Sequence, residues 1–131
     1  MTDVDKEKKK IERTLRYFFD GLDNLDVDTI KRALHPLQRS FSITPNGLCG
    51  MPLLAWDRFI QDVKNNPDHA FHKGSKKEIL SIDVTGTAAS AKAELAFSDA
   101  VYTDYYNLLR IGDEWCIMNT TYHATKSNHY K

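Results

Sequence analysis

Gly112-Asp113 interrupts two runs, Ala100–Ile111 and Glu114–Ala124, in which apolar and polar side chains alternate. That spacing is the signature of a two-residue β-hairpin, and such a turn fixes the register of the strands it joins. It therefore also sorts the side chains by face. Counted outward from the turn, one face carries Tyr102, Asp104, Tyr106, Leu108, Arg110, Trp115, Ile117, Asn119, Thr121 and His123. The other carries Val101, Thr103, Tyr105, Asn107, Leu109, Ile111, Cys116, Met118, Thr120 and Tyr122. Neither face is plainly a solvent face, which predicts a sheet covered on both sides. With the alternation at Ala89, Ala91, Ala93, Leu95 and Phe97, residues 86–124 read as three consecutive antiparallel strands.

The N-terminal half has a different period. Ile11, Leu15, Phe18, Phe19 and Leu22 recur at helical spacing and predict an amphipathic helix from about Asp5 to Gly21, capped by Asp3 or Asp5. A short second helix follows Asp26 as N-cap, with Val27, Ile30, Ala33 and Leu34 facing inward and Pro36 ending it. Phe41 and Ile43 mark a short strand closed by Pro45-Asn46-Gly47. Pro52 suits the first turn of a third helix carrying Leu53, Trp56, Phe59, Ile60 and Val63. Asp68–Lys77 reads as a polar surface loop, Leu80, Ile82 and Val84 as one face of a strand, and Lys126–Lys131 as a frayed tail. Helices first and an antiparallel meander last predict an α+β fold, with three helices on one face of a curved sheet.

With 131 residues, the chain is expected to form a single domain spanning 1–131. Lysine plus arginine and aspartate plus glutamate number 18 each, so the cationic surplus that nucleic-acid and anionic-membrane binders need is missing. The Lys6–Lys10 cluster is flanked or interrupted by Asp3, Asp5, Glu7 and Glu12 and reads as a solvated helix start. No apolar run is long enough for a membrane span, and the N-terminus has no secretory core. Cys49 and Cys116 are too few for a disulfide framework and suit a reducing, cytoplasmic compartment.

The order of long helix, short helix, strand pair, helix and three long strands resembles the nuclear transport factor 2-like (SnoaL-like) cone, a cystatin-like fold. Tyr17-Phe18-Phe19-Asp20-Gly21-Leu22, Asp26 ahead of a helix ending Leu34-His35-Pro36, and the hairpin from Asp104 to Ile117 carry the resemblance. These pieces most resemble the branch labelled putative lumazine-binding. The resemblance implies a ligand-accepting cone and a sheet that dimerises. It names no chemistry, because the fold hosts dehydratases, isomerases, cyclases, transport factors and inert binders. Counting without gaps onto ketosteroid isomerases places their helix tyrosine on Phe18, their base on Ser42 and their late-strand aspartate on Asn107. Phe18 cannot donate a hydrogen bond and Ser42 is no base near neutrality, so that proton-transfer machinery is missing.

The same mapping puts Thr103, Tyr105, Asn107, Leu109, Met118, Thr120 and Tyr122 on the concave face, though a register error of one residue would exchange the faces. The candidate ligand contacts are accordingly Phe18, Trp56, Tyr105, Asn107, Met118, Thr120 and Tyr122, aromatic walls with a few polar handles. Those aromatics could equally fill the cone. Asp104 and His123 become diagonal neighbours on the convex face, a candidate proton-transfer dyad or a surface ion pair. His35 suits a helix-end cap, and His69 with His72 lacks the further ligands a metal site needs.

The leading expectation is a small-molecule-binding protein that takes a small hydrophobic or aromatic ligand. No cofactor, metal, nucleic acid or membrane is expected, and a homodimer forms through the convex face, where Tyr102, Tyr106, Trp115 and Ile117 would lie. The alternatives are a cofactor-free lyase, cyclase or isomerase, using Asp104–His123 or a group beside Asn107, and a dimeric interaction module whose cone is packed shut.

Overall fold

Thr2 starts the first helix, α1 (Asp3–Asp23). Its hydroxyl accepts the Asp5 N–H while the Asp5 carboxylate receives the Thr2 N–H, a reciprocal capping box that satisfies two otherwise orphaned donors. The cap is therefore Thr2, and Asp5 is its partner. The computed structural model describes residues 2–126; the expected frayed tail beyond Lys126 lies outside them. Ile11, Leu15, Phe18, Phe19 and Leu22 form the buried stripe of α1. Asp26 caps α2 (Val27–Ala33), its carboxylate accepting the N–H groups of Asp28 and Thr29. Leu34, expected within that helix, instead opens strand β1 (Leu34–Thr44). Pro52 does not start the third helix: it ends β2 (Gly47–Pro52), and α3 runs Ala55–Asn65 with Trp56, Ile60 and Val63 buried.

The remaining strands are β3 (Lys76–Thr85), β4 (Ala88–Ala96), β5 (Ala100–Ile111) and β6 (Glu114–Lys126), in the sheet order β2-β1-β6-β5-β4-β3. All neighbours are antiparallel except β1 and β6, which run parallel, so the sheet is mixed rather than wholly antiparallel. The segment expected to be a surface loop contains a 3-10 turn, Ala70–Lys73, whose Phe71 is buried. His69 accepts the Phe71 N–H at 3.2 Å through Nδ1, and His72 Nε2 donates to the Val63 carbonyl at 2.6 Å. Both histidines thus have structural roles.

Between Asn107 and Leu108 the β5–β6 register shifts by one. Leu108 pairs with Ile117 and Asn107 with Asn119, leaving Met118 as the extra residue of a β-bulge. Turn-side of the bulge, Leu108, Trp115 and Ile117 face the helices and are buried. Beyond it, Tyr106 pairs with Thr120 and Asp104 with Tyr122, so Thr120 and Tyr122 turn inward while Thr121 and His123 turn outward. The expected concave face is thereby corrected on β5: Thr103, Tyr105, Asn107 and Leu109 alternate away from the helices, and Tyr102, Asp104, Tyr106 and Leu108 line the core side.

Gly21 sits inside α1, where glycine costs about 1 kcal/mol relative to alanine. The reason lies across the interface with α2: an added Cβ would stand 2.5 Å from Ile30 Cγ1 and 2.7 Å from the Ile30 backbone nitrogen. Gly21→Ala is therefore expected to destabilise the protein by about 1–3 kcal/mol despite its better helix propensity. Urea unfolding measures this directly, and an unchanged or higher midpoint would contradict the close-approach argument.

Candidate functional site

A cavity of about 110 Å³ remains between the inner face of the sheet and the helices. Phe18 and Leu22 of α1 and Trp56 and Phe59 of α3 form its roof, and Phe71 of the 3-10 turn and Phe97, just past β4, close one side. The aromatic rings brace one another. Phe18 meets Trp56 edge-on at 5.5 Å and Tyr106 at 6.0 Å between centroids, while Phe71 and Phe97 stack in parallel at 4.1 Å. Such contacts hold rings in fixed orientations rather than leaving them to collapse into the space.

Polar groups enter this apolar shell from the sheet. Ser40 of β1, Asp104 of β5, and Thr120 and Tyr122 of β6 all line the cavity. Ser40 and Thr120 are register partners in the parallel β1–β6 pair, and Asp104 is paired with Tyr122. Gln38, completely buried, donates from Nε2 to Ser40 Oγ at 2.7 Å, which leaves the serine hydroxyl proton free for another acceptor. Trp56 is 7% exposed, and its indole N–H has no partner among the described residues.

Asp104 is the one charged residue among the described residues that line the cavity, and it is 6% exposed. The Tyr106 hydroxyl donates to its Oδ2 at 2.7 Å. Burial pushes its pKa up to about 6, and the Tyr106 hydrogen bond only partly opposes that rise. Among the described residues, no lysine, arginine or histidine lines the cavity to compensate the carboxylate. The neighbouring phenols respond in kind: desolvation raises Tyr102 to about 12, and both desolvation and Asp104 raise Tyr106 well above its ordinary value.

Of the residues expected at the site, Phe18, Trp56, Thr120 and Tyr122 line the cavity. Tyr105 and Asn107 do not. Tyr105 is 48% exposed on the outer face, with the Lys92 ammonium 5.4 Å from its ring centre, and Asn107 donates to Asn119 there at 2.9 Å. Met118 occupies the bulge and is not part of the cavity lining. The bulge also dissolves the Asp104–His123 dyad: His123 pairs with Thr103 and is exposed outside, whereas Asp104 is buried inside. Sequence reasoning missed Ser40, Phe59, Phe71, Phe97 and Tyr102 as cavity residues and placed Asp104 on the wrong face. A lone phenylalanine in the polar stretch 68–77 was the available signal for Phe71.

Among the described residues, no group of three or more His, Cys, Asp or Glu side chains is arranged to hold a metal ion, and no helix is long and apolar enough to cross a membrane. Residues 6–123 match the family described as "Putative lumazine-binding". None of the curated proteins matches the chain. Among solved structures, an NTF2-like protein of unknown function from Shewanella baltica is similar with a TM-score of 0.81 and 27% identity, over 97% of this chain and 99% of that one. An NTF-2-like protein of unknown function from Silicibacter pomeroyi is similar with a TM-score of 0.80 and 14% identity, over 95% and 100% of the two chains. A protein titled "Putative Scytalone Dehydratase" from Novosphingobium aromaticivorans gives a TM-score of 0.70 at 15% identity, over 100% and 93%. At such low identity the last two likenesses speak for the fold alone.

Proposed function

We infer, for a chain that belongs to the family described as "Putative lumazine-binding", that its cone binds a small, flat, largely apolar molecule. The observation that carries this reading is the aromatic-walled cavity of about 110 Å³, kept open around a buried carboxyl that no cation among the described residues compensates. A cone serving only as a folding core gains nothing from such a carboxyl, whose desolvation costs stability. A ligand site does gain from it, as a few placed polar groups in an apolar pocket fix a ligand's orientation. Small aromatic fragments should therefore raise the unfolding temperature of the parent protein. Saturation at a hundredfold excess over Kd corresponds to about 2.7 kcal/mol. The Ser40→Leu variant, which fills the cavity, should not respond. If no fragment stabilises the parent, the reading falls.

A cofactor-free proton-transfer enzyme is the second reading, favoured by a single observation. A carboxyl raised to about 6 is suited to taking and returning a proton near neutrality. Its test is exchange of deuterium into a bound ketone at the carbon beside the carbonyl, with a rate that rises as pH passes about 6.

The homodimer remains part of the proposal, but its surface has to be redrawn. Tyr102, Tyr106, Trp115 and Ile117 point into the cone and cannot form it. The outer face instead presents Phe41, Ile43, Tyr105 and Leu109, all more than a third exposed on β1 and β5. A second copy meeting this face would cover that apolar surface, and a net charge of zero does not oppose the approach. Light scattering at high micromolar concentration should report twice the chain mass, and Ile43→Lys with Leu109→Lys should return it to the monomer. A parent protein that stays monomeric would remove the dimer.

A further inference from the structure

The unpartnered groups in the cavity are complementary to one kind of molecule. Asp104 offers an acceptor, with Oδ2 engaged by Tyr106 and Oδ1 without a hydrogen bond among the described residues. Trp56 offers a buried indole N–H that likewise has no partner among the described residues. Ser40 offers a hydroxyl proton, because its oxygen already receives Gln38. All three residues line the aromatic slot and bring to it one acceptor and two donors. Volume narrows the choice further. A cavity of about 150 Å³ lined by apolar side chains is the size that takes up benzene, so about 110 Å³ holds no more than one six-membered ring.

We propose that the cone is a recognition site for a single-ring nitrogen heterocycle carrying a ring N–H beside a carbonyl, the cyclic-amide edge, with the N–H donated to Asp104 and the carbonyl receiving Trp56 and Ser40. This rests on the ligand-binding reading and gives it a chemical class. A hydrocarbon ring would leave the carboxylate and the indole N–H both unsatisfied, and each such buried group costs stability. A small organic cation would pair with Asp104 and the aromatic faces but could accept nothing from Trp56. A fused bicycle exceeds the space and would have to leave its second ring at the mouth.

The probes are 2-pyridone, which has the full edge; N-methyl-2-pyridone, which lacks the donor; benzene, which lacks both groups; and tetramethylammonium. Calorimetry at pH 7.5 gives affinities, and the Trp56 indole N–H resonance, assigned by its loss in Trp56→Phe, reports the second contact. The expected result is that 2-pyridone binds at least tenfold more tightly than the other three and shifts that resonance downfield. Asp104→Asn and Trp56→Phe should each weaken it about tenfold or more. Equal binding of benzene overturns the heterocycle and leaves a plain apolar pocket. Tighter binding of tetramethylammonium, indifferent to Trp56→Phe, overturns it in favour of a cation. Silence from all four probes removes this proposal; it removes the ligand-binding reading as well only if a broad set of aromatic fragments also fails to stabilise the protein.

Discussion

Asp104→Asn should make the unliganded protein more stable at pH 7, by up to about 3 kcal/mol, the free energy that corresponds to raising a carboxyl from 3.8 to about 6. The sign follows from proton counting. Between about pH 4 and pH 6 the native state still holds a proton that the unfolded chain has released, so the parent loses stability as pH rises through that window and levels off above it. Asparagine removes the charge and keeps an oxygen to receive the Tyr106 hydroxyl, now bonded at 2.7 Å. Among the described residues, the groups around residue 104 offer no competing charge: Tyr102 and Tyr106 lie on the same strand, Tyr122 opposite, Ala93 on β4, Ser40 on β1, and Phe18 and Trp56 on the helices. Urea unfolding at pH 4, 5, 6 and 7 should show the parent falling over this range while the variant runs flat. Matching profiles, or a variant weaker at pH 7, would mean that the carboxylate is compensated and the site argument has lost its support. A residue whose removal stabilises the fold is retained for something other than the fold, and that is the usual mark of a binding or catalytic group.

The helices and the last hairpin were legible because their residues speak with a strong period. Ile11, Leu15, Phe18 and Leu22 can share a face only on a helix, and the Asp26 cap fixes where the next one begins. Gly112, at φ +65°, closes the hairpin where the alternation places it. The alternation at Ala91, Ala93 and Leu95 likewise marks the buried face of β4. What was not legible is where alternation pauses. Beyond Ile117 the chain reads Met118-Asn119-Thr120-Thr121, three polar residues of similar size after a flexible one, and nothing in that text says which of them turns inward. The bulge at Met118 decides it: strict alternation from Ile117 would turn Asn119 and Thr121 inward, and the bulge turns Thr120 and Tyr122 inward instead, on the same face as Ile117 and Trp115. The same failure recurs in β3, where the register shift between Ile79 and Ser81 leaves Leu80 unpaired and 44% exposed although it reads as an inward residue. The parallel pairing of β1 with β6 had no local signal at all, because it joins residues about eighty positions apart. Part of the cavity could still be named, since Phe18 and Trp56 are placed by helices and are indifferent to the bulge.

Deleting Met118 should straighten β6 without exchanging its faces. Without the extra residue, the register set by the turn runs uninterrupted through the pairs already present, Leu108 with Ile117, Asn107 with Asn119 and Tyr106 with Thr120. Thr120 and Tyr122 stay in the cavity with Asp104, and Ser40 keeps its partner Thr120 on β6. The deletion removes only the local bend and extra twist that a bulge gives its strand, so a loss of no more than about 3 kcal/mol is expected. Met118→Ala keeps the residue count and serves as the control; it should cost no more than about 1–2 kcal/mol, since the side chain is only half-buried. Thermal unfolding separates the two, and fragment binding reads the cavity independently of stability. A deletion variant that fails to fold or no longer binds fragments would mean that the pairing alone does not set the inward face of β6. The bend at Met118 would then be what places Thr120 and Tyr122 beside Asp104.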